Sequence, residues 1–150
     1  MKLTFTILAL VITNTVFGVP PIYKAKAKAA IAKTNRAIYV ALKAVKTNKV
    51  YSGNLGKAIK HQRYAKKLYI NGEYAKSFYH TRRARMLARE ALKANRGTAN
   101  LDFNESAEEK EFAKDSPSDG ESDAMANQEY PSEIKDEDIV NMTNLDLEVQ

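Results

Sequence analysis

Residues 55–92 read LGKAIKHQRYAKKLYI, then NG at positions 71–72, then EYAKSFYHTRRARMLAREAL. Leu55, Ala58, Gln62, Ala65, Leu68 and Tyr69 return at helical spacing, as do Tyr74, Phe78, Thr81, Ala84, Ala88, Ala91 and Leu92. Each set lines one face of a helix. The spacing predicts helices from about Leu55 to Ile70 and from about Glu73 to Asn95. Asn71-Gly72 would mark a β-turn between strands. Between two helical patterns it stops the first helix, because Gly enters the left-handed conformation without steric cost. Asn71, Gly72 and Tyr74 are therefore the turn of a tight helical hairpin, and Gly97 is expected to stop its second arm.

Upstream, Tyr23 to about Asn48 lacks Gly and Pro, is rich in Ala, and places Ala27, Ile31, Ile38, Leu42 and Val45 on one face. It reads as a third long helix. The alternation of Lys24-Ala-Lys-Ala-Lys-Ala is a poor strand signal, since Ala and Lys are poor strand formers; its first turns are expected to fray. Ser52-Gly53-Asn54 and Gly56 turn the chain between the first two helices. The fold expected is all-α, a small bundle of about three helices over residues 19–97 that ends in a C-terminal helical hairpin. Six tyrosines, Tyr23, Tyr39, Tyr51, Tyr64, Tyr69 and Tyr74, fall in or beside the seams. Rings at that spacing read as core with hydroxyls at the surface, more than as a base-stacking platform.

The residues Tyr64-Ala65, Leu68-Tyr69, Gly72, Tyr74, Ser77 and Ala84 give the hairpin a further character: it resembles a tetratricopeptide repeat over about 30 residues. Ala65 matches the small position of the first helix, Leu68 an aromatic one, Gly72 and Tyr74 the turn, and Ser77 and Ala84 the small positions of the second. One copy is present, and no Pro ends the second helix near Arg89. The resemblance implies hairpin geometry and protein-binding kinship, without the peptide groove that stacked repeats build.

Charge divides the chain. Residues 19–97 hold 20 Lys and Arg against Glu73 and Glu90, whereas residues 98–150 hold 16 acids against three Lys. The overall charge of +6 thus describes neither half. Segregation on this scale implies an anionic partner, external or internal. Lys57, Lys60, Arg63, Lys66 and Lys67 on the second helix, with Arg82, Arg83, Arg85, Arg89 and Lys93 on the third, are the candidate anion- or partner-binding residues. Arg forks suit carboxylate, sulfate and phosphate. The acidic half, from Thr98, is expected to be a mostly disordered tail, being polar, acidic and interrupted by Ser116-Pro-Ser-Asp-Gly. Its last apolar residues, around Leu145-Asp-Leu-Glu-Val149, leave open an extended segment that docks on the basic helices.

Lys2, the apolar run from Leu3 to Val11, and Val16-Phe17-Gly18 form the pattern of a secretory leader over residues 1–18. The expected product is exported, periplasmic or secreted, without a transmembrane anchor after cleavage. The absence of cysteine excludes disulfides, thiolate catalysis and thiolate metal sites. Asn104-Glu-Ser and Asn141-Met-Thr are glycosylation sequons only where the source glycosylates.

The expectation is a protein that is not an enzyme and needs no cofactor or metal. Glu73 and Glu90 stand about 25 Å apart along one helix, too far to share acid and base roles. An antiparallel hairpin brings His61 and His80 to similar height, but two imidazoles do not complete a zinc site. Two functions follow from the charge. One is an exported helical interaction protein whose acidic tail screens the basic hairpin; the other is a binder of polyanions, whether nucleic acid, anionic envelope polymer or lipid headgroups. The partners expected are the chain's own tail, an anionic protein or polymer, and a second copy joined through the Ala27 to Val45 face.

Overall fold

Three long helices carry the structure, a computed structural model that describes residues 21–149. They are α1 (Pro21–Asn48), α2 (Asn54–Ile70) and α3 (Tyr74–Ala94). The expected leader at 1–18 lies outside the described residues. Among the described residues there is no strand, and no helix is long and apolar enough to cross a membrane. The helix ends fall where the breakers put them. Gly72 takes φ 82°, and the amides of Gly72 and Glu73 bond back to the Tyr69 and Leu68 carbonyls, satisfying the last turn of α2. At the end of α3, however, Arg96 rather than Gly97 takes the left-handed conformation, at φ 55°. Gly97 serves a different need: a Cβ there would stand 2.1 Å from a Leu92 methyl.

All of the residues expected to face inward are buried except Tyr74, which is half-buried. Tyr23, Tyr39 and Tyr51, expected in or beside the seams, are each more than a third exposed. Two apolar clusters result. One joins Ile38, Leu42, Val45, Leu55, Ile59, Leu87 and Leu92; the other, nearer the hairpin turn, joins Ala27, Ile31, Tyr69 and Phe78. A polar belt lies between them. Thr81 donates to the Gln62 side-chain oxygen Oε1 at 2.8 Å, and the Gln62 side-chain amide donates to Asn35 and to the Ile31 carbonyl. No buried side-chain polar atom among the described residues lacks a partner, which is what the low dielectric of an interior demands.

The structure corrects the expectation for the acidic half. Residues 98–149 do not stand away from the bundle as a disordered tail. They form a 3-10 turn (Leu101–Phe103), then α4 (Ala107–Ala113), α5 (Asp119–Glu129) and α6 (Asp136–Ile139), all laid over the three long helices. Phe103, Ile139, Leu145 and Leu147 are at most 3% exposed and complete the larger apolar cluster. Ser106 with Glu109, and Ser118 with Glu121, close full capping boxes, each satisfying two otherwise unpaired amides. The composition rule failed because it asks what a segment can bury by itself. This one borrows its core from the basic helices.

The same segment finishes α2. The helix begins at Gly53 with no side-chain cap of its own, and Asp136 accepts from the Gly53 and Gly56 amides at 2.8 Å each. Gly56 permits that approach, since a Cβ on it would lie 1.7 Å from the Ile134 carbonyl oxygen. The Ala27 to Val45 face, expected to be open to a second copy, is consumed within the chain: Ala27, Ile31, Ile38, Leu42 and Val45 are at most 6% exposed.

Candidate anion-binding surface

The ten candidate cations run along α2 and α3, and Lys60 and Arg85 among them are buried. Eight of the ten hold groups of the acidic segment. Lys60 donates to Asn127 at 2.9 Å and Arg63 to the Leu145 carbonyl at 3.1 Å. Lys66 pairs with Asp146, Lys67 with Glu129, and Arg82 with Glu105. Arg83 grips Asp123 through two donors, at 2.9 and 3.0 Å, and Asp119 through a third. Arg89 donates to the Phe103 carbonyl at 2.7 Å and lies over that ring at 5.9 Å. Arg85 meets Glu109 through two nitrogens, at 2.8 and 2.5 Å. Of the remaining two, Lys93 pairs with Glu90 on its own helix, and Lys57 is exposed with no ion pair among the described residues.

These contacts are not equivalent in energy. Lys66, Lys67 and Arg82 make exposed or half-exposed pairs, which contribute about 0–1 kcal/mol each and weaken with salt. Arg85 and Glu109 are each 2% exposed. Arg85 also donates to Thr34 and to the Asn104 carbonyl. Burial pushes the Glu109 carboxyl up, yet the Arg85 donors and charge outweigh it and hold the group below the usual carboxylate range. A cleft of about 610 Å³ interrupts the cover beside this pair, lined by Arg82, Arg89, Lys110, Met86 and Phe103 among others. Here the hairpin's cations remain open to solvent.

The two histidines meet as the hairpin geometry requires. His61 and His80 stack at 5.3 Å with their Nδ1 atoms 3.0 Å apart, and His61 Nε2 lies 3.0 Å from an Asp123 oxygen. Ionised Asp123 only accepts, so His61 carries its proton on Nε2, accepts on Nδ1, and receives the Nδ1–H of His80. In this neutral chain both ring nitrogens of His61 are engaged, one as donor and one as acceptor. No group of three or more His, Cys, Asp or Glu able to hold a metal occurs among the described residues. Asp123 belongs to α5, so a disordered tail could not have supplied it.

Burial pushes His61 down to about 4, with Arg83 and Lys60 adding to it and Asp123 opposing. Burial and the neighbouring His61 take His80 down to about 3. Each unfolded imidazole titrates near 6.5, so between about pH 4 and 6.5 the unfolded chain binds protons that the folded chain refuses. Stability from these residues is complete above pH 6.5 and is lost as pH falls toward the folded values. The cost on going from pH 7.5 to 5 is at most about 2 kcal/mol per histidine. A urea midpoint measured at both pH values should drop at pH 5, and most of that drop should vanish in the H61Q/H80Q variant. A parent midpoint that does not move would refute the neutral pair.

No family model, curated protein or solved structure matches the chain.

Proposed function

We propose that this protein is an exported, non-enzymatic helical interaction protein whose acidic C-terminal segment screens its basic hairpin. The single observation that carries the reading is the engagement of eight of the ten hairpin cations by residues 98–149. Without that cover, the helices would present a dense field of like charge, attractive to polyanions and costly to the compact state. The resemblance of residues 64–84 to a single tetratricopeptide repeat supports a role in binding another protein. The leader pattern at residues 1–18 supports export.

The screen is tested in the full chain, because the acidic segment is also part of the core. In E105Q/D119N/D123N/E129Q/D146N the carboxylates that pair with hairpin cations are neutralised, except the buried Glu109. The control E111Q/D115N/E133Q/E137Q/E148Q removes the same charge from acids that pair with no hairpin cation. The first variant should elute from a sulfonated resin at clearly higher salt than the second, with helical circular dichroism retained in both. Equal elution would mean that the segment does not mask the hairpin.

A further inference from the structure

The acidic segment covers α2 and α3 but leaves one side of α1 bare. This helix contains seven Lys and Arg and no acid. At 100° per residue, Lys24, Lys28, Lys43 and Lys46 fall within about 100° of arc. All four are exposed, and none meets a carboxylate among the described residues. Tyr39, 43% exposed, stands within the same arc. From Lys24 to Lys46 the stripe runs about 33 Å along the axis. With most of the hairpin engaged, these four lysines form a continuous row of unpaired positive charge on one side of α1.

We infer that the outer face of α1 binds a linear acidic polysaccharide. The shape of the charge selects a chain over a surface. Acids border the stripe on both sides: Asp102 pairs with Arg36, Glu108 pairs with Lys26, and exposed Glu148 follows Leu147, whose carbonyl accepts from Asn35. A broad anionic plane such as a membrane would face those carboxylates together with the lysines. A single polymer lying along the Lys28, Tyr39 and Lys43 side of the stripe, away from Asn35 and Glu148, meets chiefly the cations. Insertion into lipid is also unavailable, because the apolar face of α1 is spent in the bundle. Single-stranded nucleic acid is recognised through successive aromatic platforms under its bases, and this stripe has one ring.

This inference rests on the hairpin being screened, but its test uses other residues. Heparin oligosaccharide is the probe, with the full chain and a fluorescence readout. Four contacts predict a log–log salt slope of about −3, so that binding weakens about 50-fold between roughly 50 and 200 mM salt. The variant K24Q/K28Q/K43Q/K46Q alters only exposed side chains and should bind at least about tenfold more weakly, with a slope nearer zero. The control K57Q/K93Q should match the parent. If the stripe variant binds heparin like the parent, or if single-stranded DNA or anionic vesicles bind more tightly than heparin, the assignment fails. Failure here with a successful resin experiment would remove the α1 site and leave the screening role in place.

Discussion

Replacing Glu109 with Ala should lower stability by about 3–5 kcal/mol, the cost of leaving a buried charge without its partner. Arg85 cannot shed its proton and is 2% exposed, so its guanidinium would be left to Thr34 and two backbone carbonyls. Glu109 also closes the α4 capping box by accepting from the Ser106 amide. The same substitution therefore loosens α4 from α3. E109Q keeps the shape and some acceptor capacity and should cost less. In R85M/E109L, where both charges are gone, much of the loss should return, because well-packed apolar groups often replace a buried ion pair at little cost. Urea midpoints of the three variants decide the matter. If E109A unfolds with the parent midpoint, the pair is not buried in solution and the acidic segment is not docked as described.

A chain ending at Tyr130 should lose its cooperative fold. The truncation removes Ile139, Leu145 and Leu147, all 1% exposed or less, together with the Asp136 cap of α2. Burial of one such side chain is worth about 1.5–3 kcal/mol. The three together approach the roughly 5–15 kcal/mol that holds an ordinary domain. The expected product keeps helical far-ultraviolet dichroism, loses its near-ultraviolet signal and binds ANS, since the larger apolar cluster is opened. A separable tail predicts the opposite, an unchanged urea transition. That outcome would return the fold to three helices with an idle extension.

The long helices were legible because each repeats a 3.6-residue pattern between strong breakers. Their observed limits lie within about two residues of those read from the pattern, a difference within the usual ambiguity of helix ends. The candidate cations were legible as residues along two helices, though not that Lys60 and Arg85 would be buried, and His61 and His80 as a facing pair. The acidic half was not, although signals were present. Ser106-Ala-Glu-Glu109 and Ser118-Asp-Gly-Glu121 each have the spacing of a capping box. They went unread because the segment's apolar residues are too sparse to form a core among themselves, and composition weighs a segment as though it were alone. Gly97 was legible as the stop of α3 but not its reason: Arg96 takes the left-handed angle, and Gly97 is needed for space beside Leu92.

Local order in this protein, then, is a property of the chain itself: periodicity, breakers and the division of charge specify three helices and a mutual attraction between two halves. Which acid meets which base is not local. Asp123 reaches His61 and Arg83, and Leu147 reaches the core beside Asn35, only after α1, α2 and α3 have packed into one platform. Coulomb attraction is long-ranged and nearly indifferent to partner, so charge pattern alone cannot choose a register. Short-ranged packing of Phe103, Ile139, Leu145 and Leu147 makes that choice, and it exists only in the assembled tertiary structure.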